Sequence, residues 1–180
     1  MNATGLLLAA GAGRRMGGPK ALVDGWLVGA VTALREGGCA QVVVVLGAAA
    51  DQAAPLLVGH AVVVVVAEDW DEGMGASLRT GLASLGGAGE DAALVSLVDL
   101  PDVGADVVRR VLDQPVSATT LARASYDGRP GHPVLIGREH WADVVASARG
   151  DLGARGYLDA NDVLLVECGD LATGRDIDRP

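Results

Sequence analysis

Four short apolar runs mark the first hundred positions: Gly5–Ala10, Gln41–Leu46, Ala61–Ala67 and Ala92–Val98. Each is nearly continuous in Val, Leu and Ala with little polar alternation, the pattern of parallel strands covered on both faces. Between them the period changes. Leu27, Ala30, Val31 and Leu34 fall on one helical face that stops at Gly37-Gly38. Leu78, Leu82 and Leu85 form a second stripe, and Val107, Val108, Val111 and Leu112 a third. Strands alternating with helices predict right-handed crossovers and an α/β sheet with helices on both faces.

Beyond Pro115 the rhythm is different. Ala118–Ala124, a polar turn Tyr126–Pro130 and Pro133–Ile136 predict a hairpin or a pair of edge strands. A helix from Arg138 to about Ala148, a short helix around Leu152–Leu158 and a last strand Asp162–Val166 follow, with an irregular tail over Gly174–Pro180. The chain has no internal repeat and no long linker. Its 180 residues are therefore read as one domain, 1–180, with one sizeable core.

That core has to be built from Val, Leu and Ala, because the chain has no Phe, three Trp and two Tyr. A net charge of -9 argues against nucleic acid or an anionic membrane surface as a partner. No apolar run reaches the length of a membrane span, and Leu6–Ala10 has no basic stretch before it, so it does not read as a signal peptide. Cys39 and Cys168 form no CxxC pair. These features predict a soluble protein in a reduced, cytoplasmic setting.

In so acidic a chain, local positive charge carries information. The segment Ala9-Ala10-Gly11-Ala12-Gly13-Arg14-Arg15-Met16-Gly17-Gly18-Pro19-Lys20 follows the first strand with four glycines, two arginines and the chain's one lysine. Glycines let backbone N–H groups approach a phosphate closely, and the cations add charge-assisted bonds. A P-loop needs Ser or Thr after Gly-Lys, whereas Pro19-Lys20-Ala21 stands here. A dinucleotide fingerprint fails at Met16, and Leu46-Gly47 stands where it expects an acidic residue. Asp99 ends an apolar strand just before Pro101, on the sheet edge where a metal–phosphate site belongs.

The loop and five further segments together resemble the molybdenum-cofactor nucleotidyltransferases, enzymes that attach CMP or GMP to molybdopterin. Leu8–Lys20 matches the family signature, Gly73–Arg79 its second glycine motif, and Val98-Asp99-Leu100-Pro101 its metal-binding strand end. Gly131-His132-Pro133-Val134, Gly150–Arg155 and Asp176-Ile177-Asp178 follow in the family order. The resemblance covers nearly the whole chain and implies a mixed, mostly parallel sheet of the Rossmann-like nucleotidyltransferase type.

It also implies a site. Ala9, Ala10, Gly11, Gly13, Arg15, Lys20, Gly75 and Ser77 would bind the nucleotide, with Arg15, Lys20 and Asp99 catalytic and Arg15 and Lys20 exposed to the cleft. Asp99 would hold Mg²⁺ with either Asp176 or Asp178, Asp178 being preferred. His132, Asp151 and Arg155 would contact the acceptor, although Asp151 and Arg155 also have the spacing of a helix-surface ion pair and His132 also reads as structural. Leu8-Ala9-Ala10-Gly11 resembles the cytidylyl form of the family, so CTP is expected over GTP. The expected partners are thus a nucleoside triphosphate and a phosphorylated acceptor, molybdopterin. The alternatives are another phosphorylated acceptor such as a sugar phosphate, a nucleotide-binding regulatory module without turnover, and, third, a nicotinamide oxidoreductase.

Overall fold

A computed structural model describes residues 2–85 and 89–179. Its strands are β1 (Ala3–Ala9), β2 (Gln41–Leu46), β3 (Val63–Val66), β4 (Ala92–Leu97), β5 (Leu121–Tyr126), β6 (Arg129–Gly137) and β7 (Leu164–Glu167). They form one sheet in the order β3-β2-β1-β4-β6-β5-β7. The β3-β2-β1-β4 half is parallel, β6 runs antiparallel to β4 and β5, and β7 is parallel to β5. The helices are α1 (Trp26–Glu36), α2 (Ala50–Ala53), α3 (Met74–Ser84), α4 (Ala105–Leu112), α5 (Trp141–Ser147) and α6 (Arg155–Asp159). The mixed, mostly parallel sheet with helices on both faces is the predicted class.

Alternation along the strands divides the core in two. Leu7 and Ala9 point to the face where Leu27, Val31 and Leu34 of α1 and Val107, Val108 and Val111 of α4 pack. Leu6, Leu8 and Ala10 point to the other face, under Leu78 and Leu82 of α3, Trp141 and Val144 of α5 and Leu158 of α6. Leu6, Leu7, Leu27, Leu34 and Leu78 are each fully buried, and each such side chain contributes about 1.5–3 kcal/mol relative to exposure.

Several boundaries differ from expectation. The third apolar run is an edge strand: β3 pairs only with β2, and Val63, Val64 and Val66 are exposed. A run of valines looks the same in a central strand and at an edge, because pairing depends on distant partners. The predicted hairpin lies inside the sheet, since β7 covers its outer strand. Its turn is only Asp127-Gly128, both at positive φ, with Tyr126 and Arg129 already paired across it. The expected Arg138 helix is a 3-10 turn, Arg138–His140, running into α5, and the next is split between the 3-10 turn Gly150–Leu152 and α6. Pro180, the end of the expected irregular tail, lies outside the described residues. No described helix is long and apolar enough to cross a membrane.

Candidate active site at the carboxyl edge of the parallel strands

The loop leaving β1 folds back on itself. Met16 and Gly18 both donate their N–H to the Gly13 carbonyl, at 2.9 and 3.2 Å. Gly13 has φ 58°, and an added Cβ would lie 1.8 Å from the Gly18 carbonyl oxygen, so no side chain fits there. Gly11 is exposed, and an added Cβ would meet nothing within 4 Å, leaving open space beside its backbone for a ligand. Ala9 and Ala10 are buried, and the Ala10 methyl packs towards Gly47, where an added Cβ would come within 2.8 Å of it.

Lys20 departs from expectation. Its side chain is only 16% exposed, and Nζ donates at 2.5 Å to Oδ2 of Asp99 and at 2.5 Å to Oδ1 of Asp178. Arg15 does face solvent, at 78% exposed, with its guanidinium 3.7 Å from Asp178. The difference comes from the tail, which crosses back over the sheet edge and covers Lys20. Ile177 donates its N–H to the Asp99 carbonyl at 3.0 Å, and Asp102 accepts at 2.6 Å from both the N–H and the hydroxyl of Thr173. Arg110 grips Asp170 further back on the same segment. Asp102 carries no signal in the sequence beyond a turn aspartate, yet it straps down the segment that completes the site.

Both tail carboxylates arrive. Asp99, Asp176 and Asp178 offer oxygens within 4.8 Å of one another. Burial and the neighbouring Asp178 raise the Asp176 pKa, while the bond from Lys20, and then that from Asp176, lowers that of Asp178. For Lys20, burial opposes the charged form, but its bonds to Asp178 and Asp99 outweigh it and the pKa rises. The cluster therefore already favours a cation among its oxygens. An all-oxygen, carboxylate-rich set suits a hard divalent ion such as Mg²⁺ or Mn²⁺.

The second glycine motif supports the site from the α3 side. Gly75 is packed on the backbone of Ala148 and Arg149, with 2.9 Å between an added Cβ and the Arg149 nitrogen, and Ser77 is buried in the first turns of α3. Both meet other protein groups rather than open cleft. Arg79 is a clamp: it binds Asp69 at 3.0 Å, Glu72 at 2.8 Å and the Ala148 carbonyl at 3.0 Å. Asp151 lies against Gly73 at the start of α3. Asp151 and Arg155 sit on separate short helices and form no ion pair among the described residues. A shallow hollow lined by Arg35, Cys39 and His60 lies at the opposite end of β2, away from the carboxylates.

His132 is half-buried near the start of β6, beside the carboxyl end of β4, and its carbonyl accepts the Tyr126 hydroxyl at 2.6 Å. Burial, helped by the charges of Arg123 and Arg155, pushes its imidazole down to about 4, so it is neutral at physiological pH. The glycine loop, the three carboxylates and His132 thus share one edge of the sheet, where open α/β sheets bind ligands.

Comparison with known proteins agrees with this geometry. A family profile described as MobA-like NTP transferase domain matches residues 5–164. The nicotine blue oxidoreductase of Paenarthrobacter nicotinovorans is 37% identical over 188 aligned residues, covering 97% of this chain and 91% of that protein. The crystal structure of Rv0371c from Mycobacterium tuberculosis H37Rv superposes with a TM-score of 0.83 at 27% identity, covering 99% of this chain and 94% of that one. A structure of Rv0371c in complex with manganese superposes at 0.80 and 27% identity, covering 98% and 94%. Sheet order, loop and a profile match over most of its length lead to one conclusion: the chain belongs to the family of MobA-like NTP transferases.

Proposed function

We propose that the protein transfers a nucleoside monophosphate from a nucleoside triphosphate, CTP in preference to GTP, to molybdopterin with release of pyrophosphate. The observation that carries this reading is the meeting of the glycine loop with Asp99, Asp176 and Asp178 at one sheet edge. A triphosphate needs N–H donors to hold it and a charge-neutralising centre beside it, and the two lie together here.

In the reaction, an oxygen of the acceptor's terminal phosphate attacks the α-phosphorus of the nucleotide. A new P–O bond forms, the bond from the α-phosphorus to its bridging oxygen breaks, and pyrophosphate leaves with that electron pair. A phosphate monoester is already largely ionised near neutral pH, so no general base is required. The chain's work is in-line positioning and charge neutralisation. Loop N–H groups after Ala10 hold the triphosphate, the exposed Arg15 reaches its outer oxygens, and Lys20 balances charge as pyrophosphate departs. Asp99 and Asp178, with Asp176, would hold Mg²⁺, which when bound supplies Lewis-acid polarisation of phosphate oxygens. His132, Asp151 and Arg155 line the acceptor side.

The preference for CTP rests on Leu8-Ala9-Ala10-Gly11 and its resemblance to the cytidylyl form of the family. Incubation with each nucleoside triphosphate, Mg²⁺ and a molybdopterin extract, followed by mass analysis and pyrophosphate measurement, tests the reading. Absence of a nucleotidylated pterin and of pyrophosphate with every nucleotide would refute it.

A second reading comes from the 37% identical relative that is named an oxidoreductase. The same loop would then hold the diphosphate of a nicotinamide dinucleotide. A dinucleotide diphosphate is held by loop and helix N–H groups without a carboxylate cluster, so the three aspartates favour the transferase. Dinucleotide oxidation with a dye acceptor, set against pyrophosphate release, separates the two.

A further inference from the structure

One half-buried cation is not accounted for by the nucleotide loop. Arg123 stands in β5 between Ala122 and Ala124, whose side chains both join the core under α1 and α4. Its own side chain therefore leaves on the opposite face, the one covered by α3, α5 and α6. It sits at the register shift between Arg123 and Ser125, a bulge of the kind that re-aims side chains beside functional sites. Nε donates to the Gly131 carbonyl at 3.1 Å, which brings the guanidinium across to β6, next to His132 and beside the carboxyl end of β4.

That bond uses one of the five N–H donors of a guanidinium. The other four meet no protein acceptor among the described residues. Two other arginines are half-buried among the described residues, Arg79 and Arg110, and both hold carboxylates. Arg123 holds none. Burial lowers its pKa; the charge of Asp159 opposes that, and the charge of Arg155, more weakly, adds to it. Among the described residues neither guanidinium is bonded to a carboxylate, so an anion reaching both would offset their mutual repulsion.

We propose that Arg123, together with Arg155 and the His132 imidazole, binds the anionic head of the acceptor, a phosphate monoester. This rests on the transferase reading above and adds a residue to it. The strand order supports the assignment. The triphosphate loop leaves β1 on one side of β4, while Arg123 and His132 approach from β5 and β6 on the other. Neighbouring strands are about 4.8 Å apart, so two phosphates held in these places would meet near the end of β4, at Asp99. The planar fork of an arginine suits two phosphate oxygens at once, and a neutral His132 adds a donor without further charge.

Inorganic phosphate is the probe, titrated into the full-length protein while the His132 ring and arginine Nε–H resonances are followed by NMR. Wild type should give saturable shifts at His132 and Arg123. The dissociation constant should rise at least tenfold in Arg123→Gln, and also rise in Arg123→Lys, which keeps the charge but loses the fork. Arg155→Gln, on the exposed surface, should weaken phosphate as well, and it decides the matter if Arg123→Gln fails to fold. CTP binding, measured in the same samples, should be unchanged in every variant. Phosphate affinity unaltered in Arg123→Gln and Arg155→Gln, or shifts confined to the Gly11–Lys20 loop, would overturn the proposal. Failure of wild type to bind CTP would count against the transferase reading instead, and would leave the phosphate result standing.

Discussion

Replacing Asp99 by Asn removes one negative charge from the cluster while keeping the size of the side chain. Asp99 is 14% exposed and lies within 4.8 Å of the oxygens of Asp176 and Asp178. A unit charge acting over that distance, at an effective dielectric of about 20, is worth about 3.5 kcal/mol. If an attraction of that size acts on a cation held among the three carboxylates in the transition state, turnover should fall by two to three orders of magnitude. Folding should suffer less, because Lys20 keeps its bond to Asp178 and loses one charge-assisted bond of about 1.5–3 kcal/mol. The assay is pyrophosphate release at saturating nucleotide and Mg²⁺, with a thermal melt of the same preparation. A folded Asp99→Asn protein that releases pyrophosphate at a near-normal rate would show that charge at Asp99 does not act on the reaction.

Further outcomes follow from the same geometry. Arg15→Ala should cut turnover with a stability change within about 0.5 kcal/mol, because the side chain is 78% exposed. Lys20→Ala should instead lower both turnover and melting temperature, by about 1–3 kcal/mol in stability, since it leaves Asp99 and Asp178 without their shared cation; an unchanged melt would mean that the Lys20 contacts are not made in solution. Glu167 accepts from the N–H groups of Gly128, Asp127 and Gly169 and from the Ser125 hydroxyl, which together hold its carboxyl at about 2. Its folded pKa is depressed, so its stabilisation is present above the ordinary carboxylate range and lost as pH falls towards 2. The melting-temperature gap between wild type and Glu167→Gln should therefore be widest above about pH 5 and close on acidification, and a pH-independent gap would contradict this. CTP should be used about tenfold better than GTP, with Ala10→Gly narrowing the ratio of kcat/KM values; equal use by wild type would remove the cytidylyl assignment and leave the transferase reading intact.

What could be read in advance was what lies close together along the chain. The glycine loop, the strand ending at Asp99 and the stripes of α1, α3 and α4 are local patterns, and each was visible in order and period. What escaped depends on pairing between distant segments. Nothing in Pro133–Ile136 says that β6 inserts beside β4 rather than at an edge, and four valines at β3 carry no mark of having one neighbour instead of two. The tail read as irregular, and it is irregular. Its meaning comes from Asp102 and the Asp99 carbonyl, which hold it where Asp176 and Asp178 face Asp99. The same contacts explain why Lys20, expected in an open cleft, is covered. Arg123 did leave a trace, a charged residue inside a strand of small and apolar neighbours, and a charge placed there calls for a partner.

The strapped tail also bears on how the protein becomes active. Lys20 and Asp178 are 158 positions apart in the chain, and Lys20 and Asp99 are 79 apart. Contacts of such long range are closed late, because the entropy of ordering everything between them has to be met first. The sheet and both cores can form while residues 173–178 are still undocked, and such a molecule would look native by its secondary structure. It would lack two of its three carboxylates and leave Lys20 paired to one partner only. Catalytic competence is then the last event in folding and the first to go when the chain loosens, so loss of activity in mild denaturant should precede loss of helix.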